Sequence, residues 1–354
     1  MTRKQWAALS LSLLGAGIGG IIAAVALVDP FEVYHKATAF IPPITNGTQN
    51  YSNAGIAQNY EYDSVVIGSS MTENFTPSQL ERLFGGQFVK LPINGGSPFN
   101  HKQMMDLAFS THDVRCVLYG MDIEALTYFY KSPKCEMPDY LYDDDLFNDV
   151  SYWFNKSVLF QYIPKCLSTL GQTDPDQRDT MYTWGDLYDY GKDAALADTF
   201  ISSTPVEQTP VSTPATLSQQ SLLNVEYNIL PYIIDHPDTQ FLFFYPPYSL
   251  AQWYQFYAAG SLDYHLEQKE ALTEILLAYP NVQVYDFQAR TEWILDLDHY
   301  IDAKHYGPDI NAAIAEDIAA GNCRITDSAQ AAEHDAVLKE LVGQLVEAGK
   351  WVFD

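Results

Sequence analysis

One local pattern, repeated along the chain, constrains this sequence more than any other feature. A short β-branched or aromatic run stops abruptly, a loop follows, and helical spacing comes next. Such runs stand at Ser64–Ile67, 87–91, 114–119, 241–245 and 282–285, with helical spacing at Pro77–Phe84, 101–111, 217–234, 262–278 and Pro308–Ala320. Strands apolar on both faces need cover on both, and alternation with helices is the mark of a parallel sheet. The pattern predicts an α/β fold: a three-layer αβα sandwich around a five-stranded parallel sheet. A last amphipathic stretch at 331–348 is read as a closing helix.

Three regions depart from the pattern. Arg3 and Lys4 precede an uncharged apolar run, 6–28, which as a helix would be about 34 Å long and able to cross a bilayer. A cleaved signal peptide competes, but it has a shorter core ending in a small-x-small site. Leu27-Val28-Asp29-Pro30 is not such a site. The favoured reading is one N-terminal transmembrane helix, with residues 1–5 cytoplasmic and the body on the other side. That makes the chain a single-pass cell-membrane protein with an extracytoplasmic domain. Residues 29–60, polar and aromatic with Pro42-Pro43 and Asn46-Gly47 turns, read as a stalk wrapping onto a domain that covers 61–354. Within that domain 123–216 reads as an insertion over one edge of the sheet. Its acidic run Asp143-Asp144-Asp145 lacks the glycine turn and closing glutamate of a calcium loop and reads as a solvated turn. Its tail, 202–216, has a Ser/Thr/Pro-rich loop composition.

Charge and cysteine usage narrow the function. A net charge of −26 excludes nucleic acid as a natural partner. Cys116, Cys135, Cys166 and Cys323 show no C-x-x-C spacing, so a zinc site is not expected. Cys135 with Cys166 is a candidate disulfide bracing the insertion, and Cys116 reads as a buried thiol.

Open parallel sheets place their chemistry where strands end and helices begin. At the first such exit stand Ser69 and Ser70, followed by a helix start at Thr76-Pro77. A serine here is either a helix cap or a nucleophile. A nucleophile needs a base oriented by a carboxylate. Of the eight histidines, His305 is best placed, in the loop before a late helix, with Asp302 three residues earlier. Ser70 with Asp302 and His305 is therefore the candidate triad, with Ser69 as the rival nucleophile. Tyr248 and Trp253, after the fourth strand, are read either as a substrate rim for sugar rings or as core of the next helix.

These residues resemble the SGNH (GDSL-like) hydrolase superfamily, in block order over about 60–320. Gly68-Ser69-Ser70-Met71-Thr72-Glu73 resembles its Gly-Asp-Ser-Leu-Thr-Glu block, in the Gly-Ser-Ser form of membrane-linked members. Asn94-Gly95-Gly96 resembles the second block, and Asp302-Ala303-Lys304-His305-Tyr306 the last. The resemblance implies a serine esterase or O-acyltransferase working through an acyl-enzyme, without a cofactor. Ser70 would be the nucleophile, His305 the base and Asp302 its orienting acid, and the oxyanion would sit on the backbone N–H groups of Ser70 and Gly95. The implied substrates are acyl esters of a cell-envelope or secreted glycan, with a membrane-bound acyl donor as partner. One block departs: Tyr119-Gly120-Met121-Asp122 stands where Gly-x-Asn-Asp is usual. The asparagine donor would then come from Asn94, Asn74 or Asn100, or be dispensed with. A catalytically silent, glycan-binding or scaffolding protein of the same fold is the alternative.

Overall fold

The computed structural model describes residues 1–143, 145–174, 177–208 and 215–353. Asp144 of the acidic run and 209–214 of the Ser/Thr/Pro-rich tail lie outside the described residues. One mixed sheet organises the body. Its strands are β1 (Ser64–Ile67), β2 (Phe88–Lys90), β3 (Cys116–Gly120), β4 (Gln240–Tyr245), β5 (Val282–Asp286) and β6 (Arg324–Ile325), in spatial order β2-β1-β3-β4-β5-β6. The first five are parallel neighbours, with Val65 opposite both Val89 and Val117, and Phe243 opposite Val284. Val65, Val66, Val117, Leu118, Phe243 and Phe244 are fully buried, as strands covered on both faces require.

The expectation of five strands is corrected to six. Arg324 and Ile325 pair antiparallel with Tyr285 and Val284. Two residues carry no alternation, so there is no period to detect.

Helix boundaries follow local chemistry. After β1 comes α3 (Pro77–Phe84), and the helix after β2, α4, runs Pro98–Thr111 rather than starting at 101. Pro98 occupies its first turn, and Asn100 Oδ1 accepts the Ser97 N–H at 3.2 Å. The long stretch before β4 breaks into Ala215–Asn228 and Leu230–Asp235, because Pro231 must open a helix rather than continue one. At the N-terminus α1 (Arg3–Val28) is long and apolar enough to cross a membrane, a character that a signal sequence near the N-terminus shares. Residues 49–59 form a helix, α2, buried against α4. All four cysteines are free, so the candidate Cys135–Cys166 bridge is absent, and Cys135 Sγ lies 3.3 Å from the Asn94 carbonyl instead.

A buried ion cluster ties the C-terminal helix Ser328–Ala348 to the sheet. Lys269, on the helix Leu262–Leu277, reaches Asp286 at the end of β5 (2.9 Å) and Asp335 on the last helix. All three side chains are at most 3% exposed. Burial opposes the Asp286 charge, but the Lys269 ammonium holds that carboxyl well below the usual range. Removing the cation strands two buried carboxyls. Lys269→Met is expected to cost about 3–5 kcal/mol of stability, measured by denaturant unfolding. A loss below about 1 kcal/mol, the range of a surface pair, would show that the cluster does not hold the helix.

Candidate active site

The Ser70 turn is built by packing. After β1 the chain passes Gly68 and Ser69 into a 3-10 turn, Ser70–Thr72. Thr72 Oγ1 donates to the Ser69 carbonyl at 2.8 Å and so tightens the turn. Its methyl group fills a space between two strand exits. A Cβ at Gly68 or at Gly120 would fall 2.6 Å from Thr72 Cγ2, closer than packed carbons come. The Met71 carbonyl accepts from Asn311 Nδ2 at 2.9 Å and from the Tyr306 hydroxyl at 3.3 Å, which ties the turn to the late loop.

That loop is held shut from within. Tyr300 and Tyr306 form a β-bridge, and the Ile301 N–H donates to the His305 carbonyl at 3.0 Å. Asp302 Oδ1 accepts the backbone N–H groups of Lys304 (2.8 Å) and His305 (2.7 Å), an Asx turn that curls the loop back on itself. Its other oxygen, Oδ2, is thereby left facing His305 Nδ1 at 2.8 Å. His305 Nε2 lies 2.9 Å from Ser70 Oγ. The arrangement fits the tautomer with the proton on Nδ1, donated to Asp302, and Nε2 free to accept from the serine. Burial works against the Asp302 charge, yet the His305 ring and the two backbone donors hold its carboxyl below the usual value. The rival Ser69 points elsewhere: it is buried, with its Oγ 3.3 Å from Asp122 Oδ2.

Ser70 and His305 open into a cavity of about 490 Å³. Asn94, Gly95 and Gly96 form one wall. Gly95 has φ +64°, a left-handed conformation that glycine takes without strain. Among the described residues neither the Ser70 nor the Gly95 backbone N–H is engaged in a hydrogen bond, so both are free donors at the cavity. The Asn94 side chain is at the wall too, with Nδ2 3.2 Å from Asn46 Oδ1. Asn74 and Asn100 are not at the wall. Asn74 Oδ1 accepts from the N–H groups of Trp184 (3.0 Å) and Gly185 (3.2 Å), while Asn100 Nδ2 donates to the Cys135 carbonyl at 2.8 Å. Met121 is buried and continues the sheet through its N–H to the Phe244 carbonyl, 2.8 Å.

Tyr248 and Trp253 are core, not a rim. Both are fully buried and neither lines the cavity. The Tyr248 hydroxyl donates to Asp122 Oδ1 at 2.5 Å, and the Trp253 ring lies 5.9 Å from the Lys269 ammonium. The aromatic side chains on the cavity are Tyr128 and Tyr264, with the Lys134 ammonium 4.1 Å above the Tyr128 ring.

Several site residues were invisible to motif reading. Asp122 receives Lys304 Nζ at 2.9 and 2.8 Å, and Glu124 receives it at 2.8 Å. Burial opposes Asp122's charge, but the ammonium and the Tyr248 hydroxyl hold its carboxyl far below the usual range. Lys304 loses solvation as well, and the two carboxylates raise its affinity for the proton. His265, beside them, is pushed down to about 4 by burial and by Lys304. From the insertion, Trp184 donates its indole N–H to the Ser70 carbonyl at 3.1 Å and sets its ring edge-on to His305. Glu73 is buried, takes the Gln49 amide at 2.6 Å, and burial pushes it up to about 8. Among the described residues no group of three or more His, Cys, Asp or Glu converges as a metal site requires.

No family model matches the chain, and no curated protein matches it by sequence. Among solved structures it is similar to one described as a "putative platelet activating factor" from Streptococcus pneumonia. The two share 14% identity at a TM-score of 0.40, over 77% of this chain and 90% of that one. A likeness this shallow assigns neither fold family nor function.

The Asp122–Lys304 pair gives a pH test with a definite sign. A carboxyl held low in the folded state adds stability above the ordinary aspartate range, and that contribution fades as pH falls through the lower folded value. Lys304→Met leaves Asp122 buried without its cation, at a cost of about 3–5 kcal/mol near neutral pH. The unpaired carboxyl then favours its proton, so acidification from about pH 7 to 5 should narrow the gap to wild type. Thermal melts at both pH values measure it; parallel shifts of both proteins would sink the assignment.

Proposed function

We propose that this chain is an extracytoplasmic serine esterase or O-acyltransferase of the SGNH kind, built as a three-layer αβα domain on a membrane anchor. One observation carries the reading: Ser70 Oγ, His305 and Asp302 are linked at 2.9 and 2.8 Å, beside a cavity also lined by Gly95, whose N–H has no hydrogen-bond partner among the described residues.

In this mechanism Ser70 Oγ attacks an ester carbonyl carbon while His305 Nε2 takes the hydroxyl proton. Asp302 keeps the ring in its tautomer and stabilises the imidazolium. The carbonyl oxygen becomes an oxyanion held by the N–H groups of Ser70 and Gly95, with the Asn94 amide beside them as a side-chain donor. As the tetrahedral intermediate collapses, the bond to the alcohol leaving group breaks and Nε2 returns the proton to that oxygen. A water or a sugar hydroxyl then attacks the acyl-Ser70 ester, with Nε2 again taking its proton and handing it back to Ser70.

The cavity wall favours a short acyl group on a polar carrier. Asp122, Glu124, Lys134, Lys304 and two histidines line it. Tyr128 and Tyr264 offer faces on which a sugar ring can stack. With α1 as anchor and Arg3 and Lys4 inside, the carrier is an envelope or secreted glycan, and a membrane-bound protein supplies the acyl group. Met121 in place of the usual asparagine favours one rival, a silent glycan-binding protein of the same fold.

A fluorophosphonate probe separates the two. Wild type should label at Ser70 and Ser70→Ala should not, with esterase kcat falling on the order of 10⁶-fold for Ser70→Ala and 10⁴-fold for Asp302→Asn. Folded wild type that neither labels nor hydrolyses a short acyl ester would leave the silent reading standing.

A further inference from the structure

The insertion carries a surface that the active site does not use. Residues 146–170 include α5 (Val150–Trp153) and α6 (Ile163–Ser168), and both pack against α1. Along α1 only the last turns are covered: Val25 is fully buried and Ile21, Ile22 and Val28 partly so, while the helix before them is almost wholly exposed. The inward side of the segment is bolted to the residues that follow α1. The Tyr152 hydroxyl donates to Asp29 Oδ1 at 2.9 Å, Trp153 Nε1 donates to the Tyr34 hydroxyl at 2.8 Å, and the Phe31 and Tyr162 rings meet at 4.7 Å. The segment cannot move away from the end of α1 without breaking these bonds.

Its outward side exposes large apolar side chains among polar ones. Phe147 is 90% exposed, Phe160 76%, Leu170 63%, Leu167 53%, Val150 51% and Phe154 41%. Solvated surfaces do not gather large side chains this way; such a patch marks something that covers it. Two further observations say what. A hydrocarbon core of about 30 Å is crossed by about 20 helical residues. Counted from Trp6, its far boundary falls near residue 25, the level at which α5 and α6 lie against α1. Charge agrees: in a chain of net −26, residues 146–170 hold Lys156 and Lys165 against the single Asp149, itself bonded to the Tyr34 hydroxyl at 2.8 Å.

We propose that 146–170 is a second membrane contact, an apron seated in the headgroup and upper acyl region of the leaflet where α1 emerges. Its occupant is phospholipid. The apron fixes the tilt of the domain, which one helix alone would leave free to swing. It rests on α1 remaining as an anchor, and it is independent of any chemistry at Ser70.

The test uses the full chain, one copy per nanodisc of phosphatidylethanolamine and phosphatidylglycerol at 3:1 (about the charge of an anionic leaflet). Intact mass first establishes that residues 1–28 are present. On a Cys135→Ser, Cys323→Ser background, Phe147→Cys and Phe160→Cys carry an environment-sensitive dye, with Val337→Cys on the C-terminal helix as reference. Lipid spin-labelled high on the acyl chain should quench emission about threefold or more at 147 and 160 and leave 337 unchanged. Wild-type protein in discs holding a diazirine phospholipid should give lipid adducts within 146–170, which covers the case of a misfolded cysteine variant. With α1 intact, unquenched dyes and no adducts overturn the proposal, and a protein partner or second copy as the true cover would give that result. Loss of residues 1–28 would overturn it through the anchor. Ser70→Ala should leave every reading as in wild type.

Discussion

A single buried carboxylate joins the loops from which the candidate site is made. Asp122 leaves β3, takes the Tyr248 hydroxyl from beyond β4, the Ser69 hydroxyl from beyond β1 and the Lys304 ammonium from the loop that carries His305. Four strand exits thus meet on two oxygen atoms. A charge so placed is tolerable only because its cation is adjacent and its remaining lone pairs are filled. Each loop could pack alone, but their relative positions depend on this group. Ser70 and His305 stand 235 positions apart in the chain, and no local hydrogen bond could set the distance between them.

Around that centre the structure uses backbone acceptors as rivets. The Met71 carbonyl receives Asn311 and Tyr306, the Ser70 carbonyl receives Trp184, and the Ala303 carbonyl receives Ser249 Oγ at 2.6 Å. Every one of these links residues far apart in the chain. Links of this kind hold the Ser70 and His305 side chains in one arrangement before any ligand arrives. The insertion takes part in it, since Trp184 lies behind Ser70 and His305 while Glu124, Tyr128 and Lys134 face the cavity.

What the sequence disclosed and what it hid divide along physical lines. The five parallel strands were readable because each is an unbroken apolar run with helical spacing nearby. The pair Asp302 and His305 was readable because three residues of turn suffice to bring an acid to a ring. Lys304 lies between them and looked like a spacer. Its role depends on Asp122, far off in sequence, and no local pattern encodes that meeting. Tyr248 and Trp253 were ambiguous because an aromatic after a strand can face either way, and the buried partners Asp122 and Lys269 decide it. The strand Arg324–Ile325 was missed for want of length. Of the asparagines considered for the vacant donor position, only Asn94 reaches the cavity, and the turn at Gly95 places it there.

The Thr72 methyl group, lodged between Gly68 and Gly120, makes three positions share one fixed volume. Growth at any of them requires shrinkage at another, although two belong to the first strand's exit and one to the third's. Diversification of the Ser70 turn is therefore geared to a residue that never touches the serine. A library varying the turn alone can trade bulk only between positions 68 and 72, while one that also varies position 120 would sample a second set of solutions.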